Sequence, residues 1–303
     1  KIKLLNNIYF NFPGIIKKSK SCPNLDYLLK RRLDRTYSVS VIDKNGSLIS
    51  SYNQNQLRLP ASNLKLFSSA YVLSKYKINK TFKTSLIKTN KSNYFLVGQG
   101  DPDLSYSDII KLLSNIKENK NIFINIVEID SELYWPKGWT NKDKLYEYGS
   151  PITTLAIESN NKFDSFNSLN NLIEQYLKNK FPKSNIKIIK IESRKIFNLN
   201  NAKEISKSSS NPLVSLLSLS NSESHNFTAE SLFKNASNTW NDNNYIKLKK
   251  WLENKGLPVT NTYFADASGL SRKNKITTKL VVLFLDKMKY SKDFKAYQST
   301  LSI

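Results

Sequence analysis

A serine and a lysine three positions apart, Ser62 and Lys65, begin an apolar stretch that directly follows Pro60. The hydrophobic periodicity after that proline predicts a helix from about residue 62 to residue 75. Residues i and i+3 share one face of a helix, so the Lys65 ammonium can reach the Ser62 hydroxyl. The free N–H groups at a helix N-terminus favour developing negative charge, which suits acyl transfer. Taken alone, this four-residue pattern is better explained by an N-cap serine followed by a surface lysine.

The residues before this pair predict a β-hairpin. Residues 37–43 alternate as a strand does, Asn45-Gly46 is a strong two-residue turn signal, and residues 47–50 return as the second strand. The pair is therefore expected at the start of a helix just after a hairpin. Further along, strands are predicted at 81–88, 94–97, 122–129 and 185–192, and helices at 105–116, 164–179, 212–219 and 226–235. Residues 203–211 are polar and are predicted to form a connection.

The chain has 303 residues, a formal net charge of +23 and 39% hydrophobic residues. Its length predicts one large domain or two smaller ones, and its apolar content suffices for a packed core. The basic excess is mostly lysine spread along the sequence, whereas nucleic-acid binders more often concentrate it in one stripe. A nucleic-acid-binding protein is therefore an alternative that rests on net charge alone, and a solvated lysine-rich surface is favoured.

One cysteine, Cys22, and one histidine, His225, restrict the chemistry. A single cysteine cannot form an intrachain disulfide, and a single histidine excludes His-rich metal sites. It also removes most Ser-His-Asp arrangements, so a hydrolase with this sequence needs another base, for which lysine is the natural choice. No apolar stretch approaches the roughly 20 residues that span a bilayer, and no convincing export signal is present. We expect no metal and no transmembrane segment.

Two further segments carry related side chains. Ser224-His225-Asn226 begins another helix-like run, 162 positions after Ser62. Its hydroxyl can pass a proton to a leaving amine, and its amide can hold a substrate carbonyl or a lysine. The segment Asp266-Ala267-Ser268-Gly269-Leu270-Ser271 follows a strand-like run. Taken alone, the first segment fits an N-cap and the second a tight turn.

Together these segments resemble the class C penicillin-binding proteins, the D-alanyl-D-alanine carboxypeptidase/endopeptidase family of the bacterial cell wall. The resemblance lies in order as well as in motif, and it covers about residues 35–303. After the hairpin come, in order, Pro60 to Leu66, Gly98 to Leu104, Glu128 to Asp130, the Trp139 loop, Ser150 to Leu155, Ser224 to Leu232, and Asp266 to Arg272.

The resemblance implies an α/β fold with a penicillin-binding transpeptidase-like (β-lactamase-like) domain, in which an antiparallel sheet is flanked by helices. Residues 1–85 and 205–303 would form this discontinuous domain, incomplete at its C-terminus. Residues 86–204 would form a second domain inserted between the first and second catalytic motifs. The family carries Lys-Thr-Gly, or a close variant, on a later strand. No such triplet occurs in the sequence, so we expect a truncated chain or a degenerate site.

The resemblance also implies a role for each site residue. Ser62 would be the nucleophile that attacks the carbonyl of a D-Ala-D-Ala peptide. Lys65 would take the serine proton, and Ser224 would protonate the departing D-alanine. Asn226 would orient both the substrate and Lys65. The substrate-binding set implied in this way is Asn226, Asp266 and Ser268, of which the last two would shape the edge of the site.

The function implied is that of a serine-type D-Ala-D-Ala carboxypeptidase/endopeptidase that acts on peptidoglycan through an acyl-serine intermediate. The expected partners are stem peptides ending in D-Ala-D-Ala, with β-lactams as covalent inhibitors, and no cofactor and no nucleic acid. The family implies an exported protein of the periplasm or cell envelope. One alternative, favoured by the missing Lys-Thr-Gly, is a catalytically impaired protein that binds cell-wall peptides without turnover. A class A β-lactamase shares the first two motifs, but the long insertion between Ser62 and Ser224 argues against it.

Overall fold

The structure is a computed structural model that describes residues 21–90, 92–117, 120–160, 165–192, 202–240 and 244–301. Within these ranges the chain divides into two compact units. The first takes in the residues up to Arg58, together with Lys249–Thr262 and Lys275–Ser291. The second takes in Leu59–Leu248, Tyr263–Asn274 and the residues from Lys292 onward. The predicted site residues all belong to the second unit.

Helices and strands alternate along much of the described chain. In chain order the helices are α1 (Pro23–Arg32), α2 (Leu64–Lys75), α3 (Tyr106–Leu113), α4 (Ser165–Lys180), α5 (Leu213–Ser222), α6 (Asn226–Ala236), α7 (Asn244–Asn254), α8 (Thr278–Met288) and α9 (Phe294–Ser299). The strands are β1 (Val39–Ile42), β2 (Leu48–Tyr52), β3 (Lys83–Asn90), β4 (Asn93–Gly98), β5 (Asn121–Glu128), β6 (Asn185–Glu192) and β7 (Lys203–Ser209). In the described ranges no helix is long and apolar enough to cross a membrane.

The predicted hairpin is present in the first unit. Strands β1 and β2 pair antiparallel, and Gly46 lies in their turn with φ of +80°, which glycine adopts without steric cost. Helix α1 contacts β2, and helix α8 contacts β1. The Ser40 and Thr278 hydroxyls lie 2.8 Å apart, so a side-chain hydrogen bond fixes α8 to the hairpin.

A mixed sheet organises the second unit. Its described strands stand in the order β6-β5-β4-β3-β7, with β3 antiparallel to both of its neighbours. The pairs β4–β5 and β5–β6 are parallel. Helices α3 and α4 pack on the sheet and share a core with its apolar side chains. The central members of that core, all 0–1% exposed, are Leu96, Ile109, Leu112, Ile124, Ile126 and Ile173.

Strand β7 corrects the prediction that residues 203–211 form a connection. Leu86 of β3 stands opposite Ser206, and Thr84 stands opposite Ser208, so the segment completes the sheet. Lysine, glutamate and serine disfavour a central strand, but charged side chains are common on an edge strand, where one row of backbone groups is unpaired. Ile205 supplies an apolar contact to the core. Pairing with β3 therefore overrides the polar composition.

The helices that carry the predicted site pack together in the second unit. Helix α2 contacts α5, α6 and α9. The Tyr71 ring of α2 lies 5.0 Å from that of Phe233 on α6, and the Phe67 ring lies 6.3 Å from that of Phe264. Burying one such side chain stabilises a fold by roughly 1.5–3 kcal/mol. Aromatic packing therefore fixes α2, α6 and the segment around residue 264 within one core.

Candidate active site

Ser62 and Lys65 lie at the junction of two kinds of helix. A short 3-10 turn, Ala61–Asn63, directly precedes α2. Ser62 lies in this turn and not in the α-helix. The Ser62 side chain is exposed, whereas Lys65 is 2% exposed. Lys65 Nζ lies 3.4 Å from Ser62 Oγ. The predicted approach of ammonium and hydroxyl is thus present, with the amine buried and the hydroxyl open to solvent.

The second predicted segment meets the first directly. Ser224 adopts a left-handed backbone with φ of +56°, two residues before the start of α6. Its Oγ lies 2.5 Å from Ser62 Oγ and 3.3 Å from Lys65 Nζ. Asn226 Oδ1 accepts a hydrogen bond from Lys65 Nζ at 2.7 Å, and Asn226 Nδ2 donates to the Tyr148 carbonyl at 3.0 Å. Left-handed backbone is uncommon outside glycine, and it often marks a functional position.

The third predicted segment reaches the amine through its backbone. The Ser268 carbonyl accepts a hydrogen bond from Lys65 Nζ at 2.8 Å, and Ser268 is 1% exposed. Gly269 has φ of +90°, and a Cβ added there would lie 1.8 Å from the Ala61 carbonyl oxygen. Only glycine therefore permits this turn to approach the residue that precedes Ser62.

Asp266 is fully buried and holds the turn in place. Its Oδ1 accepts hydrogen bonds from Gly269 N–H and Asn274 Nδ2, at 2.9 and 2.7 Å. Its Oδ2 accepts from Trp139 Nε1 and Ser271 N–H, at 3.0 and 2.5 Å. These donors occupy the positions at which a carboxylate accepts hydrogen bonds. Both oxygens of the Asp266 carboxyl group therefore stabilise the turn.

The hydrogen bonds of Lys65 orient its nitrogen. A neutral amine has two N–H donors and one lone pair. Its two shortest contacts, Asn226 Oδ1 and the Ser268 carbonyl, are oxygens that can only accept. When these two take the N–H donors, the lone pair faces the hydroxyls of Ser62 and Ser224. The site can therefore hold a lysine in the geometry of a general base.

Burial makes this lysine a better base near neutral pH. Desolvation lowers the pKa of Lys65 to about 8, and the negative charges of Glu230 and Asp266 oppose that lowering. A lysine in water has a pKa of about 10.4 and is almost fully protonated at neutral pH. Burial, followed by the Lys65 charge, lowers the pKa of His225 as well. The expectation that lysine is the base agrees with this environment.

A cavity of about 250 Å³ lies in front of Ser62. Ser62 and Asn226 line it together with Leu59, Ala61, Gly269, Leu270, Ser271 and Arg272. The described ranges contain no cluster of three or more His, Cys, Asp or Glu side chains that could hold a metal ion. The polar side chains among the lining residues are the hydroxyls of Ser62 and Ser271, the amide of Asn226 and the guanidinium of Arg272.

Sequence reasoning missed three contributors to the site. Arg272 lines the cavity, Gly269 permits the close approach at Ala61, and Glu230 binds the backbone of the third segment. A glycine within a tight turn was the available signal for Gly269. The available signal for Glu230 was a glutamate among the apolar residues of a predicted helix. A glutamate at such a position is buried only when other groups pair with it.

Sequence comparison assigns the chain to a family. The match to the D-Ala-D-Ala carboxypeptidase 3 (S13) family covers residues 26–175 and 165–303, and the chain belongs to that family. A D-alanyl-D-alanine carboxypeptidase from Actinomadura sp. (strain R39) is 26% identical over 141 residues. That alignment covers 42% of this chain and 26% of the length of the relative. The family inferred from the order of the motifs is confirmed.

Solved structures share the fold. Penicillin binding protein 4 from Haemophilus influenzae matches with a TM-score of 0.67 at 18% identity, over 91% of this chain and 80% of its own. The same protein complexed with a β-lactam matches with a TM-score of 0.66 at 19% identity, over 92% and 80% of the two chains. A predatory peptidoglycan endopeptidase from Bdellovibrio bacteriovorus matches with a TM-score of 0.51 at 14% identity, over 86% and 71%. The predicted penicillin-binding-like α/β fold is confirmed.

Proposed function

We propose that this chain is a serine-type D-Ala-D-Ala carboxypeptidase/endopeptidase that acts on peptidoglycan peptides through an acyl-serine intermediate. One observation carries the proposal: the buried Lys65 nitrogen lies within 3.4 Å of both the Ser62 and the Ser224 hydroxyls. Membership of the D-Ala-D-Ala carboxypeptidase 3 family supports it. So do the names of the relatives, one a carboxypeptidase and one a peptidoglycan endopeptidase.

In the acylation half-reaction Ser62 Oγ attacks the carbonyl carbon of the penultimate D-alanine. The hydroxyl proton passes to Lys65 Nζ, either directly or through Ser224 Oγ, which lies 2.5 Å from Ser62 Oγ. Negative charge collects on the carbonyl oxygen, which the Ser62 N–H stabilises. Such a donor commonly contributes about 100–1,000-fold in rate. The C–N bond then breaks, and Ser224 transfers a proton from the lysine to the departing amine.

Deacylation reverses these roles. Water attacks the acyl-serine carbonyl carbon and gives one proton to Lys65. The ester C–O bond then breaks, Ser62 Oγ takes that proton back from Lys65, and the product leaves as the acid, which ionises in water. Asn226 keeps the amine oriented through Oδ1 in both halves, and it bonds the substrate amide when its contact to the Tyr148 carbonyl is exchanged. Asp266 and Ser268 contribute by holding the edge of the cavity, because both are buried and engaged by other protein groups.

The proposed partners follow from this chemistry. They are stem peptides ending in D-Ala-D-Ala, with β-lactams as covalent inhibitors of Ser62 and with no nucleic acid. The β-lactam complex of the Haemophilus influenzae relative supports the second of these. The proposed location is the periplasm or cell envelope, because peptidoglycan lies outside the cytoplasmic membrane. We also propose that residues 86–204 form an inserted domain. The mixed sheet supports a structural unit in this region, although its strands run from Lys83 to Ser209 and so extend past both bounds.

Intact-protein mass spectrometry tests the acyl-serine. The chain is incubated with a penicillin beside two variants, Ser62→Ala and the control Ser114→Ala, which removes an exposed hydroxyl just after the end of α3. We expect one adduct of the antibiotic's mass on the native chain and on the control, and none on Ser62→Ala. A folded native chain without an adduct would contradict the proposal and favour binding without turnover.

Substrate assays divide the two peptidase activities. Release of D-alanine from a peptide ending in D-Ala-D-Ala measures carboxypeptidase action, and cleavage of a cross-linked stem-peptide dimer measures endopeptidase action. Both activities are expected to disappear in Ser62→Ala, because the same serine performs them. Equal turnover by the native chain and Ser62→Ala would refute the assignment of the nucleophile.

A further inference from the structure

A second buried acidic side chain lies behind the proposed base. Glu230 of α6 is 0% exposed. Its Oε1 accepts hydrogen bonds from the N–H groups of Ala267 and Ser268, both at 2.8 Å, and Tyr245 donates its hydroxyl to Oε2 at 2.9 Å. Burying a carboxyl group is unfavourable unless it is hydrogen-bonded. The three donors explain how the carboxyl is accommodated.

Glu230 holds the same residue that holds Lys65. The Ser268 N–H donates to Glu230, and the Ser268 carbonyl accepts from Lys65 Nζ. Since the nitrogen and the carbonyl carbon are joined through one Cα, displacing the N–H also displaces the carbonyl. Ser268 is 1% exposed, so water is poorly placed to replace either contact. A continuous path of hydrogen bonds therefore runs from the carboxyl group to the amine.

Charge reinforces this path. The ionisable groups that interact with Lys65 are Glu230 on α6, Asp266 in the turn, and His225 just before α6. Glu230 and Asp266 favour the ammonium and oppose the effect of burial on the pKa of Lys65. Burial, and after it the charge of Asp266, raises the pKa of Glu230 to about 7. Hydrogen bonds from the turn and from Tyr245 oppose that rise.

We propose that Glu230 is a positioning residue for the Lys65 base: its carboxyl group fixes the Ser268 carbonyl that holds the amine. Its negative charge supports the same role, because it opposes the effect of burial on the amine. The inference rests on the proposed function, because it concerns how Ser62 is activated. Glu230 does not line the cavity, and it acts through Ser268.

The pH dependence of acylation tests the charge. The second-order rate constant for labelling by a fluorescent penicillin is measured from pH 5.5 to 10 for the native chain and Glu230→Gln. Glutamine keeps an oxygen for the two N–H donors but removes the charge, so the rising limb should move to lower pH by about one unit, as expected for loss of a nearby opposite charge. The plateau should fall, because a less basic amine is a weaker proton acceptor. The control, Glu204→Gln, removes an exposed carboxylate from β7 and should leave the profile unchanged.

A second variant and a second measurement cover poor folding of Glu230→Gln. Tyr245→Phe keeps the ring and removes one hydrogen bond that favours the charged carboxyl, so its limb should shift in the same direction by less. A crystal structure of Glu230→Ala measures positioning without activity, and the 2.8 Å contact between Lys65 Nζ and the Ser268 carbonyl should be lost. Retention of that contact, or superimposable pH profiles of the native chain and Glu230→Gln, would overturn the inference. No acylation of the native chain would instead overturn the proposed function.

Discussion

Replacing Gly269 by alanine tests whether the close approach of two backbones sets the position of the nucleophile. The added Cβ would lie 1.8 Å from the Ala61 carbonyl oxygen and 3.2 Å from Leu64 Cβ. Real Cβ atoms keep at least 3.0 Å from such an oxygen, so the two segments must part by about 1.2 Å. Ala61 already has a left-handed backbone, with φ of +48°, and it directly precedes Ser62. The displacement therefore falls on the residue next to the nucleophile.

A misplacement of about 1 Å in a catalytic group commonly costs on the order of 100-fold in rate. We expect Gly269→Ala to lower the rate constant for acylation by a fluorescent penicillin by about that factor. Left-handed alanine adds strain of roughly 1–2 kcal/mol, which lowers thermal stability as well. The assay therefore reads both the labelling rate and the unfolding temperature.

Gly256→Ala is the matched control for this substitution. Gly256 also has a positive φ, +68°, but the nearest atom to its added Cβ is Lys287 Nζ at 3.7 Å. The Gly256→Ala variant should therefore unfold at a lower temperature than the native chain but keep the native rate of acylation. Labelling of Gly269→Ala within about threefold of the native rate would refute the reasoning, because the clash would then have been relieved without moving Ser62.

Three further predictions concern the same site. Acylation should rise with pH and reach half its plateau near pH 8, because the pKa of Lys65 is lowered to about 8 and only the neutral amine accepts a proton; a midpoint near 10 in a pH–rate profile would contradict this. Lys65→Arg should lower the rate of acylation at least about 100-fold, because arginine stays charged and cannot act as a base. Labelling by a radioactive or fluorescent penicillin measures this rate, and a tenfold loss or less would argue against a base at this position. Asp266→Asn should lower the free energy of unfolding, measured in urea, by about 1–3 kcal/mol, because the NH2 group of the amide cannot accept the hydrogen bonds that one carboxylate oxygen now accepts. An unchanged denaturation midpoint would show that the turn does not depend on these hydrogen bonds.

The local parts of the fold were predictable from the sequence, and the reasons are physical. The hairpin around Gly46 and the helix after Pro60 depend on turn chemistry and hydrophobic period, which neighbouring residues carry. Strand β7 was not predictable, because its pairing with β3 joins residues 115–126 positions apart and its composition is that of a loop.

The candidate site was predictable where single side chains carry its chemistry. Motif and spacing named four site residues: Ser62, Lys65, Ser224 and Asn226. In the structure, polar atoms of the other three lie within 3.4 Å of the Lys65 nitrogen. The contribution of Ser268 comes instead from its backbone carbonyl, which every residue has and no sequence pattern marks. The role of Asp266 in holding the turn likewise depends on Trp139, which is distant in sequence. Residue type reveals reactive groups, whereas their support is a property of the folded chain.

The contacts around Lys65 also join points that are far apart along the chain. Ser224 and Asn226 are 159 and 161 positions away from it, and Ser268 is 203 positions away. Closing such long loops carries a large entropic cost and slows folding, so contacts of this range form late. The amine acquires its acceptors only when these distant segments dock. A penicillin that labels Ser62 would then report complete folding, and labelling during refolding would time the final step.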